Sequence, residues 1–169
     1  ANGLNASAWG ASANARGANA TASGYKANAN GADAYAAGSN AFAYGANATG
    51  IGPNANASAE NATVVGANAF GGASAAAFGN GANAFGQYST AIGYGAQATM
   101  LNSLALGANA SAAFANSTAI GAGATTAYAN QMVFGANSGV ATTSSNYTLA
   151  GLYTGEKHQS GATYMVTTD

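Results

Sequence analysis

The sequence predicts an all-β fold, a parallel β-solenoid of short stacked coils, on three observations. Glycine recurs every seven residues, the residues between alternate with period two, and one of the two alternating faces is almost entirely alanine. Gly3, Gly10, Gly17, Gly24, Gly31, Gly38, Gly45, Gly52 and Gly66 keep the seven-residue spacing, with Ala59 in the one gap. After a single six-residue step the ladder resumes at Gly72, Gly79, Gly86, Gly93, Gly107, Gly121 and Gly135, with Met100, Phe114 and Tyr128 in its gaps.

The gaps fall only on alternate rungs, so the two halves differ and the true repeat is fourteen. One half always closes on glycine, as in NASAWG (5–10), NATVVG (61–66), NSLALG (102–107) and NSTAIG (116–121). The other half is more variable. A coiled coil is excluded as the source of the period, because heptads need large aliphatics and charged flanks, and each glycine costs a helix about 1 kcal/mol against alanine. The Gly-Ala-Asn that follows many rungs is turn chemistry, since glycine and asparagine accept positive φ. Two short strands and two turns per fourteen residues describe one solenoid coil. The six-residue step is expected to be a shortened turn between Gly66 and Gly72 in an unbroken solenoid.

Counting back from each closing glycine assigns the faces. Two residues before it stand Ala8, Ala22, Ala36, Gly50, Val64, Ala77, Ala91, Ala105, Ala119 and Val133 in one half, and mostly alanine in the other, as at Ala15, Ala29, Ala43, Ala57, Ala84, Ala98 and Ala112. Small side chains suit a narrow interior between two sheets. One residue before the glycine, the glycine-closed half carries Trp9, Ser23, Ala37, Ile51, Val65, Phe78, Ile92, Leu106, Ile120 and Phe134. The variable half carries Arg16, Asn30, Tyr44, Ser58, Gly71, Phe85, Thr99, Ala113 and Ala127. At strand spacings of ~4.8 Å the bulky stripe would run for about 40 Å, more apolar surface than a soluble monomer usually shows. Trp9, Ile51, Val65, Phe78, Ile92, Leu106, Ile120 and Phe134 are therefore expected to be buried between subunits. The opposite parity, with these residues inside the coil, also satisfies period two.

Composition narrows the function. More than half of the chain is alanine, glycine and asparagine, and only three basic and four acidic residues occur. Scattered basic residues do not neutralise phosphates or hold a membrane surface, so neither nucleic acid nor direct membrane insertion is expected. No apolar run approaches the ~18 residues of a membrane-spanning helix. The absence of cysteine removes disulfides and cysteine metal sites. The chain begins at Ala1, and is expected to be an excised or processed piece.

The strands NSLALG (102–107), NSTAIG (116–121) and YSTAIG (88–93), repeating every fourteen residues, resemble the Asn-Ser-Val-Ala-Ile-Gly repeats of YadA-like heads of trimeric autotransporter adhesins. The resemblance covers roughly residues 1–139. It implies a left-handed parallel β-roll of about ten 14-residue coils, assembled as a parallel homotrimer beyond the outer membrane of a Gram-negative bacterium. It also implies attachment to host extracellular matrix, cells or surfaces, and self-aggregation, with no enzymatic activity and no cofactor. Residues 140–169, with NYTLAG (146–151) and QSGAT (159–163), are similar to connectors that follow the last coil. A recognisable neck motif and the family's stalk and barrel anchor are not present in these residues.

His158 lies among Glu156, Lys157 and Ser160 and superficially offers acid, base and nucleophile, but a polar connector supplies no rigid shell to fix a triad. The triplets at Asn5, Asn19, Asn47, Asn61 and Asn116 match glycosylation acceptors, yet stacked turn asparagines are expected to bond from coil to coil. Two aspartates in the whole chain are too few for a calcium solenoid. Arg16, Phe42, Tyr44 and Phe85 lie on the outer face of the variable half and form a candidate adhesive face. They equally fit packing across a groove between subunits. An ice-binding array is a competing reading through Thr21, Thr49, Thr63, Thr90 and Thr118, which Tyr35, Leu104 and Met132 interrupt. A disordered spacer would need no such register.

Overall fold

The computed structural model describes residues 1–135. The connector expected over 140–169, including His158, lies outside the described residues. Strands alternate in length along the chain, beginning with β1 (Ser7–Trp9), β2 (Asn14–Ala15), β3 (Thr21–Ser23) and β4 (Asn28–Ala29). The three-residue strands stack into one 10-stranded parallel sheet and the two-residue strands into an 8-stranded one. Among the described residues the chain makes about nine turns of ~14 residues without a helix, against the ten expected.

Each coil turns its corners on a residue in the left-handed region. Asn5, Asn19, Asn47, Asn61, Asn102 and Asn116 hold φ of 54 to 56° at one corner, and Asn40, Asn54, Asn68 and Asn109 hold 53 to 56° at the other. Asparagine tolerates that conformation better than other chiral residues. Backbone bonds then run from coil to coil at the corners, as from Asn19 N–H to the Leu4 carbonyl, 2.8 Å, and from Gly24 N–H to the Trp9 carbonyl, 2.7 Å.

The uneven gaps in the glycine ladder have a backbone cause. Every glycine closing a three-residue strand takes a positive φ, for example 123° at Gly10 and 148° at Gly66, where side-chain-bearing residues are strained. The glycines of the other rungs keep ordinary φ, and are held small only because a Cβ would run into the next coil, as at Gly17 against the Gly31 carbonyl. Space can be made where φ cannot be changed, so Ala59, Met100, Phe114 and Tyr128 occur on that rung alone. At three of these four substituted rungs, the side chain three residues on closes back onto the rung's own backbone. Ser103 Oγ donates to the Met100 carbonyl at 2.6 Å and Ser117 Oγ to the Phe114 carbonyl at 2.7 Å, while Gln131 Oε1 accepts from Tyr128 N–H at 3.1 Å.

The interior is a single column of small side chains, four to a coil. Ala20, Ala22, Ala27 and Ala29 are all fully buried, and the same pattern repeats up the stack. The bulky stripe points out. This settles the parity in favour of an alanine interior, with Val64 the largest fully buried side chain among the described residues.

The six-residue step is a shortened corner in a continuous solenoid, but it falls later than expected. Phe70 and Gly71 pair in register with Asn56 and Ala57 before them and with Asn83 and Ala84 after them. Between Gly71 and the left-handed Ser74 stand two residues, Gly72 and Ala73, where the preceding coil has Ser58, Ala59 and Glu60. Gly71 is thus inside the coil and not on the outer face where counting from Gly72 puts it. A residue lost within a strand would exchange inner and outer faces, whereas one lost at a corner leaves the pleat intact.

Candidate functional site

Two outer faces carry the side chains singled out by the sequence. On the three-residue strands the middle residue is inside and its two neighbours point out, so each coil contributes two outward positions. Coil-to-coil pairing aligns Ile51 with Val65, Val65 with Phe78, Phe78 with Ile92, Ile92 with Leu106, Leu106 with Ile120 and Ile120 with Phe134. These form an unbroken column on the single chain, in which Ile51, Phe78, Ile92 and Leu106 stay 37 to 39 % exposed. Trp9 stands apart from it. Its column neighbours are Ser23 and then Ala37, and it is 61 % exposed.

Beside that column runs a second one, in which Thr21, Tyr35, Thr49 and Thr63 are in register, with Leu104 and Met132 further along. The threonines do share one face, and the large side chains interrupt it as the sequence indicates.

The outer face of the two-residue strands is polar with two aromatic islands. Phe42 and Tyr44, two residues apart at one two-residue strand and its exit, stack with ring centroids 5.5 Å apart and planes at 6°. Phe85 stacks at 5.6 Å on Phe70 of the preceding coil. Phe70 was not among the residues expected there, because counting back from Gly72 misplaces it by one. Its signal was available from the other side, since it follows Gly66 by four residues as Phe42 follows Gly38. Arg16 is exposed on the same sheet, at the far end from Phe85. Around the rings, the Oδ1 atoms of Asn28, Asn56 and Asn83 are shielded from solvent and have no hydrogen-bond partner. Asn28 and Asn56 flank Phe42 in the ladder, and Asn56 and Asn83 flank Phe70.

The turn asparagines bond from coil to coil as expected. Asn19 Nδ2 donates to Asp33 Oδ1 at 2.9 Å, Asn47 Nδ2 to Asn61 Oδ1 at 3.1 Å, and Asn102 to Asn116 and Asn116 to Asn130 at 3.0 Å each. Among the described residues no three His, Cys, Asp or Glu side chains gather where they could hold a metal ion. No helix of the described residues is long and apolar enough to cross a membrane.

Fold and faces together define a repeat scaffold, a rod with one apolar and one polar outer sheet. The YadA head domain repeat, a family model of two copies, matches residues 1–27, 15–41, 43–69, 71–96 and 98–124. Among solved structures, the collagen-binding domain of the Yersinia adhesin YadA is similar, at 30 % identity and a TM-score of 0.71, over 85 % of this chain and 78 % of that one. A search of curated proteins finds no match. The chain belongs to the YadA head repeat family.

Proposed function

We propose that this chain is the head module of a bacterial surface adhesin, a left-handed roll that acts as a parallel homotrimer beyond the outer membrane of a Gram-negative cell. It attaches multivalently to extracellular matrix, cells or surfaces and to copies of itself, and has neither catalytic activity nor a cofactor. The observation that carries this reading is the outward column from Ile51 to Phe134, an apolar strip that a second and third copy would cover. Membership of a family of adhesin heads supports the same conclusion. Trp9, Ile51, Val65, Phe78, Ile92, Leu106, Ile120 and Phe134 are the subunit contacts in this reading. Arg16, Phe42, Tyr44 and Phe85, joined by Phe70, form the adhesive face.

Flat aromatic pairs beside unpaired amide oxygens suit a shallow site for an extended polymer, and a collagen is the first ligand to test because the similar solved domain is described as collagen-binding. A shallow site of millimolar affinity gains about 10² or more when several act together on one rod. The test has two parts. Light scattering should give three times the 16.0 kDa of the chain, and a stable monomer at micromolar concentration would overturn the trimer. Beads coated with the protein should adhere to collagen, fibronectin, cells or plastic, and beads that adhere to none would leave a spacer.

A further inference from the structure

One corner of the solenoid changes character halfway along. Where the chain enters a three-residue strand, the first corner carries Gly3-Leu4-Asn5, with one exposed leucine, and the coils after it carry Gly17-Ala18-Asn19, Gly31-Ala32-Asp33 and Gly45-Ala46-Asn47. From residue 86 on, the same corner carries Tyr88, then Met100 and Leu101, then Phe114, then Tyr128. All five are exposed, from 39 % at Phe114 to 71 % at Tyr128, and they occupy the same corner of successive coils as a ridge.

Three independent features set this ridge apart. Tyr88 holds φ 58°, the left-handed conformation that asparagine, serine or aspartate takes at the equivalent residue of the other coils, and a bulky aromatic is costly there. Met100, Phe114 and Tyr128 replace the glycine of the rung with large apolar groups that pack on nothing in the interior. Finally, every charged residue of the described chain, Arg16, Lys26, Asp33 and Glu60, lies before residue 61, and none occurs from 61 to 135. Loss of charge with gain of aromatic residues and methionine is the compositional mark of the core of a protein interface.

The apolar column alone is too narrow to hold copies together. At about 30 Å by 10 Å it offers on the order of 300 Å², well under half of the ~800 Å² per partner in a stable interface. A threefold ring also needs two different patches on each copy, because each copy meets its two neighbours through different surfaces. The ridge adjoins the column through Leu104 and Met132 on the intervening outward positions, so it enlarges the apolar surface in the same coils.

We propose that the ridge of Tyr88, Met100, Leu101, Phe114 and Tyr128 is the second patch of the ring, seated against the Ile92, Leu106 and Ile120 column of a neighbouring copy of this chain. This rests on the trimer reading. The ridge adds to the grip in the coils from residue 86 to 130, and the polar outer face of the earlier coils, with Phe42 and Tyr44, is the part left free for ligand.

The test restores the ordinary corner in the full chain, with Tyr88→Asn, Met100→Gly, Leu101→Ala and Phe114→Gly combined. These are the residues other coils use, so the solenoid should fold, which far-ultraviolet circular dichroism checks. Sedimentation over a concentration series is then compared with the unaltered chain. The expected result is an association midpoint at least about 100-fold higher for the variant. A trimeric parent with an unshifted, folded variant would overturn the ridge proposal alone, whereas a monomeric parent would overturn the trimer and the ridge with it. Should the variant not fold, the single change Leu101→Asp, on an exposed corner side chain, gives the same readout with the same two outcomes.

Discussion

Gly71 faces Val64 across the interior of one coil, and a Cβ built on Gly71 would lie 2.6 Å from Val64 Cγ2. Most other coils fill this space with two alanines, such as Ala22 and Ala29, whereas here one large and one absent side chain share it. The pair therefore predicts a coupled response. Gly71→Ala alone should destabilise by about 1–3 kcal/mol through overpacking. Val64→Ala alone should cost about 1–2.5 kcal/mol through the cavity it leaves. The double change recreates the common alanine pair and should cost clearly less than the sum. Denaturant midpoints of the four proteins at one concentration measure the coupling, and strict additivity would remove the claim.

A second pair of changes should move stability in opposite directions. Ser89, Ser103 and Ser117 occupy one interior column, but only Ser103 and Ser117 bond back to a carbonyl, and Ser89 Oγ is buried without a partner. Ser89→Ala should stabilise by about 1 kcal/mol, since it removes an unpaired buried hydroxyl. Ser103→Ala should destabilise by about 1 kcal/mol, since it takes the bond from the Met100 carbonyl. Thermal melts of both variants decide the matter, and equal shifts of one sign would contradict it.

These interior details mark what could be read from the residues and what could not. The fourteen-residue coil, the alanine-lined face of each strand and the stacked asparagines were legible, because each depends on a side-chain period or a turn residue that repeats nine or ten times. The direction of the bulky stripe was open in the sequence, since period two fits either parity, and only the alanine-filled interior decides it. Gly71 and Phe70 were misplaced because the glycine ladder was used as a ruler across the shortened corner, where Gly72 no longer marks the rung. Phe42 and Tyr44 were placed on one face, but the stack of Phe70 on Phe85 was not read from the sequence. Phe70 and Phe85 are fifteen residues apart, and their contact follows from losing one residue at the intervening corner.

The apolar column gives the third prediction. Ile92→Asp with Leu106→Asp should abolish the trimer in sedimentation, because two carboxylates per chain would be placed against the partner copies without a counter-charge. Asn83→Asp with Thr99→Asp, on the polar sheet, should leave the mass unchanged. If both doubles dissociate equally, simple charge repulsion rather than the column is responsible.

The last prediction concerns adhesion. The two stacked pairs, Phe42 on Tyr44 and Phe70 on Phe85, sit two coils apart on one flat sheet and share Asn56 between them. A ligand that lies along the sheet can reach both pairs at once, so removing one ring leaves the other pair and the avidity of the rod intact. Single changes of Phe42, Tyr44 or Phe85 to alanine should weaken bead adhesion only about twofold to fivefold, whereas the triple change should weaken it by at least about 100-fold, as expected when a multivalent site is lost as a unit. Phe70→Ala added to the triple should do little more, because Phe85 is already gone and the second pair with it. All of these variants should keep the trimer mass of the parent, since none touches the apolar column. An undiminished triple variant would move the adhesive surface to another face, with the exposed Tyr25 and its neighbour Lys26 next in line.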